Sequence, residues 1–145
     1  MQWEPGPKAG FSSASPEQFY LPVDPAANRP DVASQMSDPQ SLLQPVRQLI
    51  ALRQAHPALS ANGLFEPVYA QAGRLPFIYT RQSGSEKLLV ALNPANLPCE
   101  TMLDGSLSAG VPKTLHGQPN AFKRAGANRR FKLPGVSGGV YQLQE

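Results

Sequence analysis

Proline and glycine set the limits on this chain: sixteen prolines and twelve glycines fall among 145 residues, too densely for a helical bundle. From Leu59 onward they cut the sequence into short runs, "FEPVYAQ", "LPFIYTR", "EKLLVALN", "CETML", "VPKTL", "RRFKLP" and "GGVYQLQ". Short runs rich in β-branched and aromatic residues, bounded by turn formers, predict an antiparallel sandwich. The clearest hairpin sets residues 77–80 against 87–92 across Ser83, Gly84 and Ser85.

One segment breaks this pattern. In "DPQSLLQPVRQLIALRQAHP", Leu42, Leu43, Val46, Leu49 and Ile50 recur at helical spacing. Asp38 is placed to cap this helix with Pro39 at its first position, and His56-Pro57 stops it. Pro45 requires either a bend or a regular helix that starts near Gln44. Residues 1–37 are rich in Pro, Gly, Ser and Asn and read as an extended or turning arm. Burying the five apolar helix residues would contribute very roughly 10 kcal/mol, at about 1.5–3 kcal/mol each, which rivals the net stability of a typical domain. The helix therefore needs a cover: the sandwich, a second copy of the chain, or a separate domain. The expected fold is mostly β, a sandwich over 59–145 preceded by a long irregular arm and one α-helix over 1–58.

The lone Cys99 has no partner for an internal disulfide, and no charged segment leads into an apolar one as in a secretory signal. No apolar run approaches the roughly twenty residues that cross a bilayer. The expectation is a soluble chain in a reducing, cytoplasmic setting, with no membrane partner.

Little catalytic chemistry is legible. "GVSGG" matches the G-x-S-x-G spacing, but Ser137 lacks a following helix and a later His, so a turn before the last strand is the better reading. His56 and His116 have no Cys or acidic cluster near them, and no metal is expected. His56 suits a helix C-terminus. Cys99 reads as a small buried hydrophobe, with no adjoining base to lower its pKa. Glu4, Glu17, Asp24 and Asp31 lie on the arm as solvated carboxylates. "FKRAGANRRFK" gathers Lys123, Arg124, Arg129, Arg130 and Lys132 around Phe122 and Phe131, and no acidic residue occurs between Gly105 and Gln144. That bias suits phosphate-bearing polyanions. The same letters fit a basic hairpin with its Phe rings turned inward, the reading favoured over a nucleic-acid partner. Trp3, Phe11, Phe19 and Tyr20 form a sugar platform or, more simply, pack into a core.

Taken in order, "MQW" with "AGFS", then "YLPVDP", then "DPQSLLQPVRQLIALRQAHPAL", and finally "KLLVALN" and "LPGVSGGVYQL" resemble the C-terminal part of α-glucosidases, oligo-1,6-glucosidases and trehalose synthases of the α-amylase superfamily. The chain departs from that pattern at Tyr20, at Pro45 and over 104–130. The resemblance implies that residues 1–58 are the tail of a (β/α)8 barrel, its post-strand-8 loop and last helix, and that 59–145 are the β-sandwich called domain C. It implies that Met1, Gln2, Trp3 and Phe11 lie on a substrate-proximal loop at the catalytic face. The nucleophile Asp, acid/base Glu and third Asp of such enzymes lie on earlier barrel strands, so no catalytic residue carries over. The chain is thus expected to be a non-catalytic fragment whose helix face Leu42, Val46, Leu49 and Ile50 is covered by a barrel or by a second copy. An artificially chosen boundary, a truncated reading frame and a split enzyme are all compatible with such a fragment. The whole enzyme would perform retaining hydrolysis or transglycosylation of α-glucosides without an organic cofactor. An independent sandwich that binds α-glucan or a polyanion is the alternative.

Overall fold

Strand accounts for 34% of the chain and helix for 20%, in a computed structural model that describes residues 2–144. The chain divides into two units, Met1–Ala51 and Leu52–Glu145.

The second unit contains eight strands: β1 (Leu64–Tyr69), β2 (Phe77–Ser83), β3 (Glu86–Asn93), β4 (Cys99–Asp104), β5 (Lys113–His116), β6 (Phe122–Ala125), β7 (Asn128–Leu133) and β8 (Ser137–Gln142). Five form one sheet in the order β1-β2-β3-β8-β5, and three form another in the order β4-β7-β6. Every ladder is antiparallel, so the expected sandwich is present. The β2–β3 hairpin pairs Phe77 with Leu92 and Ser83 with Glu86, leaving Gly84-Ser85 as the two-residue turn.

Alternation of side chains along the strands builds two apolar layers. Ile78, Leu89, Ala91, Leu103, Phe131, Leu133 and Tyr141 form the larger core. Leu88, Val90 and Val140 belong to a second layer with Ala58, against which Leu52, Leu59 and Tyr79 pack. Strand β3 therefore has consecutive buried residues, Leu88 to Ala91, because both of its faces are covered. At the centre of the larger core, Tyr141 stands edge-on to Phe122 and Phe131, with ring centroids 4.9 and 5.7 Å away. Its hydroxyl donates to the Gln118 carbonyl at 3.3 Å, and burial pushes its phenol up to about 12.

A polar clamp closes the second layer. Glu86 Oε1 lies 2.6 Å from His56 Nδ1, and Oε2 accepts from the Ala58 N–H at 2.8 Å. An ionised carboxylate only accepts, so His56 Nδ1 carries the proton. Arg81 donates from Nε to the Ala58 carbonyl at 3.1 Å and from Nη2 to the Ser60 carbonyl. Burial works against the Glu86 charge, but the hydrogen bonds from Ala58 and His56, with the attraction of His56, hold its pKa below the ordinary glutamate value. Sequence position suits His56 to the helix dipole alone; its tie to Glu86 is long-range and has no local signature.

A 3₁₀ turn (Pro16–Gln18) and the helix α1 (Val32–Ser37) lie in the first unit, and a second helix, α2 (Leu43–Ala55), begins in it and ends in the first residues of the second. The arm is therefore not wholly irregular, and the described residues include two α-helices rather than one. Asp31 explains α1: its side chain accepts from the Ser34 N–H at 2.8 Å and the Ser34 hydroxyl at 2.7 Å, a strong start signal. Asp38 does not cap α2. It follows α1 and accepts from the Gln40 N–H at 2.8 Å, while Gln35 Oε1 accepts from the Leu43 N–H at 3.1 Å and takes the capping role. Pro45 falls in the first turn of α2, where its missing N–H has no intrahelical partner to lose, so no bend is required. The helix ends at Ala55, before His56-Pro57. None of its residues is buried, and Leu42, Val46, Leu49 and Ile50 are all exposed, Leu42 by 75%.

Two outcomes follow for stability. A Cβ on Gly139 would strike the buried Tyr141 ring, 2.6 Å from Cε2, so Gly139→Ala should destabilise the chain by about 1–3 kcal/mol, the usual cost of overpacking, measured by urea denaturation. Because the Glu86 pKa is lowered in the fold, its stabilising contribution is complete above the ordinary value of 4.5 and disappears as pH falls through the folded value. The stability advantage of the wild type over Glu86→Gln, large at pH 7, should shrink below pH 4.5 in urea midpoints taken across the range.

Candidate functional site

The most built loop in the first unit is the one expected to lie near substrate. The Trp3 N–H donates to the Ala9 carbonyl at 3.0 Å, Ala9 to Gly6 at 3.1 Å, and Phe11 to Lys8 at 3.0 Å, winding residues 3–11 into a tight closure. Gly10 takes φ +72°, and a Cβ there would sit 2.8 Å from the Trp3 Cβ, so only glycine fits. The loop is tied to α1. Gln2 bridges Asp31, and the Gln2 and Trp3 carbonyls accept from Val32 at 2.9 Å and Ala33 at 3.0 Å. These are first-turn N–H groups that a helix leaves unpaired. Arg29 donates to the Asp24 carbonyl at 2.7 Å and to the Gly6 carbonyl.

Beside this loop opens a cleft of about 610 Å³, bordered by Gly6, Arg29, Asp31, Ser34, Gln35 and Asp38. Hydrogen bonds from the Ser34 backbone and hydroxyl hold the Asp31 carboxyl below its ordinary range. Gln2 Oε1 is buried without a hydrogen-bond partner among the described residues. Trp3 is 60% exposed, Phe11 is also exposed and Tyr20 is 98% exposed. Packing into a core, the simpler reading of these rings, is thus corrected for Trp3, Phe11 and Tyr20; Phe19 is half-buried. Their loop is stitched by backbone hydrogen bonds that leave the rings outside. Met1 lies outside the described residues. Asp24 accepts from the Ala26 N–H at 2.9 Å in an exposed turn, and Glu17 sits on the 3₁₀ turn with its pKa lowered by the Ser15 hydroxyl.

The five basic residues of 122–132 share a hairpin but not a face. Lys123 lies directly opposite Arg130, and Arg124 opposite Arg129, across β6 and β7. Successive residues of a strand point to opposite sides. Lys123, Arg130 and Lys132 line one cleft with Glu100, whereas Arg124 and Arg129 line another with Phe122. Arg129 braces the fold by donating to the Ser108 carbonyl at 2.9 Å. Phe122 and Phe131 pack with ring centroids 4.8 Å apart, tilted by 52°, and Phe131 is fully buried, as the inward-facing reading required.

The remaining candidates are structural. Ser137 begins β8 and donates to the Pro134 carbonyl at 2.7 Å, with a strand rather than a helix after it. Cys99 is half-buried at the start of β4, and burial pushes its thiol up. Among the described residues no cluster of His, Cys, Asp and Glu is arranged to hold a metal, and no helix is long and apolar enough to cross a membrane. One aromatic set escaped the sequence reading: Phe65, Tyr79 and Phe77 form a row on β1 and β2 with centroids 4.9 and 5.4 Å apart. The i, i+2 spacing in "FIY" carried that signal.

Residues 1–62 match the alpha-amylase family, "Alpha amylase, catalytic domain". A Rhizobium meliloti protein named "Probable alpha-glucosidase" is 40% identical over 93 residues, covering 64% of this chain and 16% of that protein. The "Trehalose synthase/amylase TreS" of Mycolicibacterium smegmatis is 34% identical over an alignment that covers 100% of this chain and 26% of that protein. The crystal structure of isomaltulose synthase from Erwinia rhapontici NX5 superposes with a TM-score of 0.76 at 28% identity, over 99% of this chain and 24% of the synthase. The chain thus spans about a sixth to a quarter of the length of these relatives.

Asp31→Ala should free the start of α1 and the loop that rests on it. Hydrogen exchange should show lost protection at Val32, Ala33 and Ser34, and limited proteolysis should cut faster within 3–10, with the β-sandwich amides unchanged.

Proposed function

We propose that this chain, related to the alpha-amylase family, is a non-catalytic portion of an α-glucosidase-like enzyme, the end of a catalytic barrel followed by its C-terminal β-sandwich. The carrying observation is the apolar stripe that starts at Leu42, just before α2, and continues through Val46, Leu49 and Ile50 on the helix, all of them exposed. A stripe of this kind on a helix matched to a catalytic domain packs against barrel elements, and burying it stabilises the assembly by several kcal/mol, on the order of 1.5–3 kcal/mol per side chain. The similarity of about two thirds of the chain to glucosidases, and of nearly the whole chain to a trehalose synthase and an isomaltulose synthase, supports a role in hydrolysis or transglycosylation of α-glucosides.

Within that role the loop 2–11 presents Trp3 and Phe11 to the sugar. Flat aromatic faces suit the apolar CH surface of a pyranose, and the Gln2–Asp31 bridge fixes the loop that carries them. Catalytic carboxylates come from the barrel, and the sandwich follows its last helix.

The expected outcome is that this chain alone leaves maltose and an aryl α-glucoside intact, and that a separately expressed barrel domain of a relative restores hydrolysis on mixing. Leu49→Asp with Ile50→Asp should abolish the restoration while leaving the sandwich folded, as judged by near-ultraviolet circular dichroism. Hydrolysis of α-glucosides by this chain unaided would end the proposal.

A further inference from the structure

We propose that the outer face of the β6–β7 hairpin is a binding site for a single phosphate group, as the free ion or as a small-molecule phosphate ester, a use of the sandwich independent of its place in a glucosidase. Like charges set directly opposite across an antiparallel pair are destabilising, yet Lys123 faces Arg130 and the next position repeats the conflict with Arg124 and Arg129. The inner pair has a structural use, since Arg129 donates to the Ser108 carbonyl. The outer pair has no such use: among the described residues Arg130 meets only Glu100, Nε to Oε1 at 3.3 Å, on an exposed surface. Lys132 lies on the same outer face, two residues from Arg130 and opposite Glu100. Three cations thus converge where one carboxylate answers them.

Concavity and rim chemistry narrow the ligand. Lys123, Arg130 and Lys132 line a cleft of about 550 Å³ whose border includes Pro98, Pro134 and the exposed Gln118 and Asn120. Cross-strand and i, i+2 neighbours stand about 5–7 Å apart, close enough for several cations to reach one phosphate group. A short, open cleft suits a compact anion, whereas a polymer needs an extended basic track. Ammonium and guanidinium donors make their strongest hydrogen bonds to phosphate oxygens, and the Gln118 and Asn120 amides offer neutral donors and acceptors for an attached hydroxylated group.

Titration of the full chain with inorganic phosphate, glucose 6-phosphate and heparin, followed by amide chemical shifts, tests the assignment. Expected are saturable one-to-one shifts at Lys123, Arg130 and Lys132 with at least one of the two small ligands. Tighter binding of glucose 6-phosphate would name a phosphate ester as the source, and tighter binding of inorganic phosphate would name the free ion; either supports the site. Lys123→Gln combined with Lys132→Gln should weaken binding by about tenfold or more, and Arg124→Gln, on the opposite face, should leave it unchanged. Shift mapping on the wild type reads the site even if the double variant folds poorly. The proposal is overturned if neither small ligand saturates, if heparin alone binds, or if Arg124→Gln costs as much as the outer-face change.

Discussion

The carboxylate of Glu86 organises the second unit. Each of its oxygens receives one donor from a separate point of the segment after α2, His56 Nδ1 and the Ala58 N–H, and hydrogen bonds to an ionised acceptor are the strong ones. Arg81 completes the grip through the Ala58 and Ser60 carbonyls. The result is that Ala58, fully buried, lies in one layer with Leu88, Val90 and Val140. Strand β3 then has two dry faces, and the five-stranded sheet is sealed on its second side near its centre as well as against the three-stranded sheet. Removing the carboxylate would leave a buried N–H unpaired and loosen that cover, a larger loss than the pairwise attraction suggests.

The first unit is ordered differently. Its order comes from backbone and capping hydrogen bonds rather than from burial: Asp31 and the carbonyls of Gln2 and Trp3 satisfy the start of α1, and Gln35 satisfies the start of α2. With donors and acceptors paired locally, apolar side chains are left over, the rings of Trp3 and Phe11 on the loop and the stripe on α2. Clustered exposed apolar side chains are a common feature of contact surfaces. That agrees with the proposed place of these residues in a catalytic barrel, and the family match over 1–62 covers the segment that carries both features.

The elements that the sequence made legible are those whose physics is local. Alternating runs between prolines and glycines located most strands, and the Ser83-Gly84-Ser85 turn set the β2–β3 register to within one residue. Strand β6 was implied only by the Phe and Arg/Lys pattern of its hairpin. Short α1 is hard to read because its start depends on one side chain, Asp31, in a stretch otherwise rich in helix breakers. Proximity favours Asp38 as the cap of α2, whereas the acceptor that reaches Leu43 comes from Gln35, eight residues back. On the candidate site, the basic cluster is visible as a composition but not as two faces, since strand alternation acts only once β6 and β7 are paired.

By itself the sequence determined the mostly-β character, the stop of the helix before His56-Pro57, and the apolar periodicity of that helix, because proline geometry, turn propensity and helical periodicity act over a few neighbouring residues. Only the tertiary structure decided that His56 answers to Glu86, thirty residues away, that Lys123, Arg130 and Lys132 share a cleft from which Arg124 and Arg129 are turned away, and that Trp3 and Phe11 stay outside. Those outcomes depend on which strands pair and in what register, and such contacts leave no mark on the spacing of residues along the chain.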